Sequence, residues 1–341
     1  MIKKLLKGIT VSLTALLTYG TAAGQGMHFS QYYNAPMLLN PANTALMSQS
    51  DYRIGANYRS QWAQLPVPYN TMSGFADFSL FKKQDFTNWL GVGVAFFNDK
   101  AGDGQLTLNR TELAVAYHIL TGEYNMISVG FSASTNQRSI DFSKLTYDRQ
   151  WDGFKFDKST SNGEPNTVAK TNFWDMNAGI NYALFPNENL YLKVGIGLAH
   201  INQPQESFLG NTNQIKMRPT ANVDALIKLD GSLILNPSAY YTRQGSAQEL
   251  VYGLTARFFI SGNENYSTDV IVGVYNRFNE SIIPVFGLQW SGVRLMASYD
   301  YTISKLGPDV NGRGAVEFGL VYQGGYRGGG MGHSTIDCPR F

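Results

Sequence analysis

Between Asp51 and Gln323 apolar and polar residues alternate with a period of two, and few folds tolerate that pattern over so long a stretch. In Ile127 to Thr135, Ile127, Val129, Phe131, Ala133 and Thr135 share one face, while Ser128, Gly130, Ser132 and Ser134 share the other. Leu190, Leu192, Val194, Ile196 and Leu198 oppose Tyr191, Lys193, Gly195, Gly197 and Ala199 in the same way, and Val293 to Thr302 repeats it. A helix cannot produce this period. About fourteen such segments can be counted, each close to the nine to eleven residues that a tilted strand needs to cross the apolar layer of a membrane. The reading is an all-β fold, a transmembrane antiparallel β-barrel of about 14 strands over 51–323.

Composition supports a barrel over a soluble sandwich, which would also alternate. Charged residues are 15% of the chain, against roughly 25% in soluble domains. Aromatics reach 13% and glycines number 35, yet the mean hydropathy is only -0.19. A barrel gives this combination because lipid-facing and lumen-facing residues average out. Tyr and Trp gather near strand ends, as at Tyr52, Tyr58, Trp174, Tyr182, Tyr240, Tyr241, Trp290, Tyr299 and Tyr301, which suits two interfacial girdles. Short connections such as Thr121 to Tyr124, Asp230-Gly231 and Ser291-Gly292 alternate with longer ones, above all 137–172 and 201–215. Short turns belong on the periplasmic side and long loops outside, so an even strand number puts both termini in the periplasm. Phe278 to Glu280 breaks the alternation by being short on the outer side.

Residues 1–24 read as a signal peptide. Lys3, Lys4 and Lys7 precede the apolar run Ile9 to Leu17, too short for a bilayer, and Thr21-Ala22-Ala23-Gly24 is a small-residue exit. The mature chain then starts near Gln25; the rival is an N-terminal anchor helix. Beyond it no run of eighteen apolar residues remains. Cys338 is the single cysteine, which excludes an intrachain disulfide. A net charge of +2 gives no reason to expect nucleic acid as a partner.

Signatures of chemistry are weak. His28, His118, His200 and His333 share no ligand spacing, and no nucleophile elbow or phosphate-binding glycine loop occurs, so neither metal, cofactor nor catalytic residues are expected. Asp99 to Gly104 resembles a calcium loop only faintly, with Ala101 at a ligand position and Arg110 where a bidentate Glu belongs. Arg53, Arg59, Asp77, Glu112, Asp175, Lys193, Arg218, Asp224, Arg257, Arg294, Asp300 and Glu317 fall on the inward face. Both signs occur, which favours a salt-bridged, filled interior over a selective pore. Gln25 to Ser50 precedes the first strand and carries Phe29, Tyr32, Tyr33, Met37, Leu38 and Leu39, side chains that need cover from water. Starting on the periplasmic side, 25–50 would fold inward as a plug or bind a partner, with Phe29, Tyr32, Tyr33, Asn40 and Pro41 as its marker residues.

Phe29-Ser-Gln-Tyr-Tyr-Asn34, Asn40-Pro-Ala-Asn-Thr-Ala45 and Tyr58-Arg-Ser-Gln-Trp62 together resemble the start of the PorP/SprF family of type IX secretion system membrane proteins. The similarity continues through Asn98 to Asp103, Asp141 to Leu145, His200 to Pro204, Gln244-Gly245 with Glu249-Leu250, Tyr299 to Ser304 and Cys338 to Phe341. What this resemblance implies is a non-enzymatic outer-membrane component of the export machinery of Bacteroidetes, which also serves gliding motility. Its partners would be a secreted surface adhesin, periplasmic secretion components, or both, besides outer-membrane lipids. A core part of the machine and a dedicated adhesin partner both remain open. So does a different class, a passive channel for hydrophobic small molecules with an N-terminal hatch at Asn40-Pro41-Ala42.

Two partner-binding expectations follow. Arg59, Gln61 and Trp62 close the first strand and combine a charged fork with a large aromatic face, residue types that dominate interfaces; the rival is a girdle Trp with Arg59 salt-bridged inside. The tail 324–341 opens with a glycine-rich reach and ends in Cys338, Pro339, Arg340 and Phe341. It is expected to be a periplasmic docking element; the alternatives are that it plugs the barrel mouth or that Cys338 pairs with another protein's cysteine.

Overall fold

The computed structural model describes residues 27–326 except 48–49, 64–67, 83–86, 158, 162, 164–167, 209–210, 230–231, 264–265, 306 and 309. The signal segment 1–24 and the tail residues Cys338, Pro339, Arg340 and Phe341 lie outside the described residues.

The alternating segments become strands β1 (Tyr52–Gln61), β2 (Tyr69–Leu80), β3 (Asn88–Ala101), β4 (Leu106–Gly122), β5 (Asn125–Asp141), β6 (Val168–Asn187) and β7 (Leu190–Ala199). A small hairpin, β8 (Gln205–Phe208) and β9 (Asn211–Gln214), follows. The series then runs through β10 (Arg218–Leu229), β11 (Leu233–Gln244), β12 (Ala247–Asn263), β13 (Tyr266–Arg277), β14 (Ser281–Trp290), β15 (Val293–Thr302) and β16 (Arg313–Gly324). Fourteen of them, all but β8 and β9, form a closed barrel in which each strand is antiparallel to its neighbours. The seam joins β1 to β16 over an unbroken register from Tyr52↔Gly324 to Gln61↔Ala315, so no edge is left unpaired there.

Which face points where follows from the alternation. Val129 is 54% exposed and Phe131 45%, whereas Ser128, Ser132 and Ser134, on the other face of β5, are buried. Greasy outside and polar inside inverts a soluble core and is stable only with lipid around the wall. Tyr58, Trp174, Tyr252 and Tyr301 face outward toward one end of the barrel, and Tyr182, Trp290 and Tyr322 toward the other. Tyr240 departs from the expected girdle. It points inward, buried, and donates to Glu249 at 2.7 Å, because adjacent residues in a strand cannot share a face.

We call the end holding Tyr52 and Gly324 proximal and the other distal. Ser291-Gly292 is a proximal turn with positive φ at both residues (46° and 82°), the conformation that matches the twist of a two-residue hairpin. The expected alternation of short and long connections is looser than the sequence suggested. Distally, Gly245–Ser246 is as short as a proximal turn, and proximally the connection 81–87 is long. Strands β4, β5 and β6 extend beyond the spans the pattern suggested (106–118, 126–136 and 173–184), with β5 and β6 paired from Asn125↔Leu184 up to Asp141↔Val168. Their distal ends form a wall above the barrel. On its free edge Asn202 imitates a strand, donating to the Trp174 carbonyl (2.8 Å) and accepting from the Met176 amide (3.0 Å). The β8–β9 hairpin lies within the stretch read as the plain loop 201–215.

Candidate functional site: the plugged lumen

Residues 27–47 run through the barrel interior as a string of short turns, Tyr32–Asn34, Pro36–Leu39 and Pro41–Asn43. No turn is long enough to be stable alone, so the wall must hold the segment. Pro36 and Pro41 each open a turn, where the missing N–H costs nothing, and the Asn40 side chain caps the third turn by accepting from the Ala42 amide at 2.9 Å.

The first attachment is an ionic latch in the distal half. Glu317 accepts from the Ser30 and Gln31 amides at 2.8 and 2.9 Å. The Ser30 hydroxyl donates to Asp300 (2.7 Å) and accepts from both Arg59 (2.7 Å) and Arg277 (2.9 Å). Around it Arg59 pairs with Asp300 and Glu317 at 2.8 and 3.2 Å, and Arg277 with Asp300 and Glu249, both at 3.0 Å. All these charges are buried. Each carboxylate meets a guanidinium and each guanidinium meets carboxylates, the condition under which charges survive away from water.

Below the latch the contacts are packing and neutral hydrogen bonds. Tyr32 stands edge-on to Tyr240 and Tyr275 and shares a 2.6 Å hydrogen bond with Ser238. Asn57 donates to the Asn34 carbonyl, and Asn40 and Asn43 interlock with Asn181, each at 3.0 Å. The wall makes room through glycines: a Cβ at Gly130 would fall on the backbone of Pro41 and Ala42, and one at Gly91 on the Thr44 carbonyl. Near the proximal end Asp77 accepts from the Ala45 amide (2.7 Å) and from Arg53 (2.6 Å). Trp89 donates to the Ala45 carbonyl (2.9 Å), and His118 bridges the Thr44 carbonyl (2.9 Å) and Ser128 (2.8 Å). A carbonyl only accepts, so His118 carries its proton on Nε2 and receives one from Ser128 on Nδ1. Lys82 finishes the series by donating to the carbonyls of Met47 and Ser50.

The expected plug residues are thus brought together: Phe29, Tyr32, Asn40 and Pro41 are buried inside the barrel and Tyr33 is nearly so. The direction of the segment differs from the expectation that it starts at the proximal side. Ser30 lies at the level of Arg59 and Arg277, close to the distal ends of β1 and β13, and the chain descends to enter β1 proximally. Arg59 does not join Trp62 in an exposed pair. Its guanidinium is consumed by the latch, because its parity in β1 turns it inward, whereas Trp62 sits half-buried at the distal rim with its ring 5.2 Å from Tyr69. Gln61 is the last residue of β1, between Tyr69 and Ala315.

Most of the inward ionic residues read from the pattern do pair, as Arg53 with Asp77 and Lys193 with Asp224 (3.4 Å), whereas Arg218 and Arg294 make no salt bridge among the described residues. Arg110, Glu249, Asp269 and Arg277 were missed, although they share the inward face with residues that were not. All four lie inside the alternating segments on the parity that faces inward, so the period alone finds them. Ser30 and Gln31 gave no signal of their own, since nothing in a short turn says which side chain meets a charge. Among the described residues no three metal-ligating side chains converge, and no helix is long and apolar enough to cross a membrane.

The model of the family described as type IX secretion system membrane protein PorP/SprF matches residues 21–322. This chain belongs to the PorP/SprF family. The match spans the plug and nearly all of the barrel, so the latch is built from family-matched sequence on both sides. No curated protein matches the chain. Solved structures similar to this PorP/SprF barrel include the deltaS2 mutant of the TodX monoaromatic hydrocarbon channel, 7% identical over 86% of this chain and 94% of that one, with a TM-score of 0.53. The toluene transporter TodX of Pseudomonas putida is 7% identical over 84% and 92%, with a TM-score of 0.50. The translocator domain of autotransporter NalP from Neisseria meningitidis is 10% identical over 86% and 95%, with a TM-score of 0.47. At such identities the TodX likeness establishes the outer-membrane barrel fold and nothing about cargo.

Proposed function

We propose that this PorP/SprF protein is a closed, non-enzymatic outer-membrane partner in type IX export, which helps secrete and hold a surface adhesin by binding the adhesin's C-terminal region, periplasmic secretion components, or both. The observation that carries the reading is a family match to a secretion-system membrane protein on a barrel whose lumen is occupied by its own chain. A barrel latched by buried ion pairs is a poor conduit, so its work lies at its rims and termini. The proximal end then faces the periplasm, in keeping with short turns there, and the distal wall of β4, β5 and β6 rises outside the cell. Signal-peptide cleavage near Gly24 and Gln25 delivers the chain to this compartment.

The rival, a passive channel for hydrophobic small molecules, draws only on the TodX fold. It needs a dry apolar path, whereas the described lumen is lined by Arg59, Asp77, Glu112, Asp300 and Glu317. Affinity capture from gently solubilised outer membranes tests the proposal. A large secreted protein or periplasmic secretion components should come down with the barrel, and a bare monomer in every mild detergent would overturn it.

A further inference from the structure

Strand β6 outruns one of its neighbours. It pairs with β5 up to Asp141↔Val168, whereas its ladder with β7 ends at Ala178↔Leu198 and β7 itself stops at Ala199. There the chain turns away. His200 and Gln203 take positive φ (59° and 42°), and the Ile201 amide makes a last backbone bond to the Met176 carbonyl at 3.0 Å. The Asn202 carboxamide then stands where the next residue of a strand would be, joined to the Met176 amide and the Trp174 carbonyl.

Period two fixes what lies above. The N–H and C=O of one residue in a strand point to the same side, and those of Met176 point away from β5, so those of Trp174, Asn172 and Lys170 do too. Among the described residues, the Trp174 amide and both backbone groups of Asn172 and Lys170 have no hydrogen-bond partner. The β8–β9 hairpin does not supply one. It pairs only within itself and is held by Glu206 to Arg138 at 2.6 Å, and Arg138 has the inward parity of Ser134 and Asn136. Lys170, Asn172 and Trp174 are exposed on the opposite, outward face.

Such an edge is satisfied by donors and acceptors repeating at strand spacing, which an extended polypeptide carries. Asn202 is a one-residue stand-in for it. Charge narrows the choice: Lys170 has no carboxylate partner among the described residues, so a carboxylate beside it on the added strand is favoured. We propose that the free edge of β6 from Lys170 to Trp174 is a strand-addition site for an extended segment of another protein, one that brings a carboxylate to Lys170. The edge is defined by strand register, independently of the secretion reading.

Short synthetic peptides and the purified full-length barrel test it with no secretion component present. A labelled peptide alternating valine with glutamate should bind, by fluorescence anisotropy, about tenfold more tightly than its lysine counterpart, and Lys170→Glu should reverse that order. Hydrogen exchange over 168–176 should slow when the glutamate peptide binds. Asn172→Pro removes an amide that points away from β5, so the wall keeps its ladder while peptide affinity falls about tenfold. Retained heat-modifiable migration shows that each variant is folded. The glutamate peptide with every amide N-methylated keeps its side chains, cannot form a ladder and should not bind the parent barrel, a comparison that needs no variant to fold. No binding by the glutamate peptide, or equal binding by its N-methylated form, would overturn the site. So would affinity unchanged in Asn172→Pro, or a dimer of the barrel that Asn172→Pro dissociates, which would give the edge to a second copy.

Discussion

Arg59 and Asp300 meet at 2.8 Å although a whole strand, β16, stands between theirs. The contact is made over the inner surface of the barrel with the Ser30 hydroxyl between them, so the pair is both a brace of the wall and the seat of the plug. Arg59→Ala leaves Asp300 with Arg277 as its guanidinium and Glu317 with the Ser30 and Gln31 amides alone. A loss of about 3–5 kcal/mol is expected for the latch, the cost typical of stranding a buried charge. The wall keeps its backbone ladders, so the variant should insert normally and show conductance in planar bilayers that the parent lacks.

Gly130 and Gly74 make a matched pair of tests. A methyl group at Gly130 would occupy the backbone of Pro41 and Ala42, whereas one at Gly74 meets nothing nearer than the Gly55 carbonyl at 4.0 Å. Gly130→Ala should loosen the plug by about 1–3 kcal/mol, as overpacking does, and Gly74→Ala should be neutral. Limited proteolysis of the plug in the assembled barrel distinguishes them, with cleavage faster only in Gly130→Ala.

At His118 the prediction concerns hydrogen bonding alone. The ring stacks on Trp89, centroids 4.8 Å apart, and Phe in its place would keep that stack. His118→Phe leaves the Thr44 carbonyl and the Ser128 hydroxyl without this partner inside the barrel, worth about 1–3 kcal/mol. The urea midpoint for plug release should fall, whereas His118→Gln, which can still donate, should recover part of it.

Of Arg59, Gln61 and Trp62, we propose Trp62 as the residue that meets a partner. Standing half-buried at the distal rim on Tyr69, it can lend its ring to another protein without unmaking the latch. Trp62→Ala should leave assembly intact and weaken surface retention of the adhesin, read by whole-cell immunolabelling. Unchanged retention would return Trp62 to a girdle role.

Deleting Cys338 to Phe341 should likewise leave insertion normal and abolish co-purification of the periplasmic or adhesin partner, while Cys338→Ser should be mild. Partner binding that survives the deletion would remove the tail from the docking proposal. A partner lost only under reducing conditions would assign the link to the Cys338 thiol.

The barrel was legible because its signal is written in every strand: Val129 and Phe131 could face only lipid once Ser128 and Ser132 faced inward. That the segment carrying Phe29 and Tyr32 needs cover was legible too, though not whether the barrel or a partner gives it. Its course was not. That Ser30 seats between Arg59, Arg277 and Asp300 depends on which strands a short turn meets after closure, and neither period nor composition encodes such a meeting. The β8–β9 hairpin was missed because four residues per strand are too few to establish a period.

Ser30 binds Glu317, 287 positions later in the chain. The plug's deepest anchor therefore cannot exist until the last strand has been threaded into place. That same strand closes the cylinder against β1, with Arg59 and Glu317 facing each other across the seam. Sealing the wall and locking the stopper are consequently one step of assembly, so a nascent barrel caught before that step is open at its side and unstoppered in its middle at once.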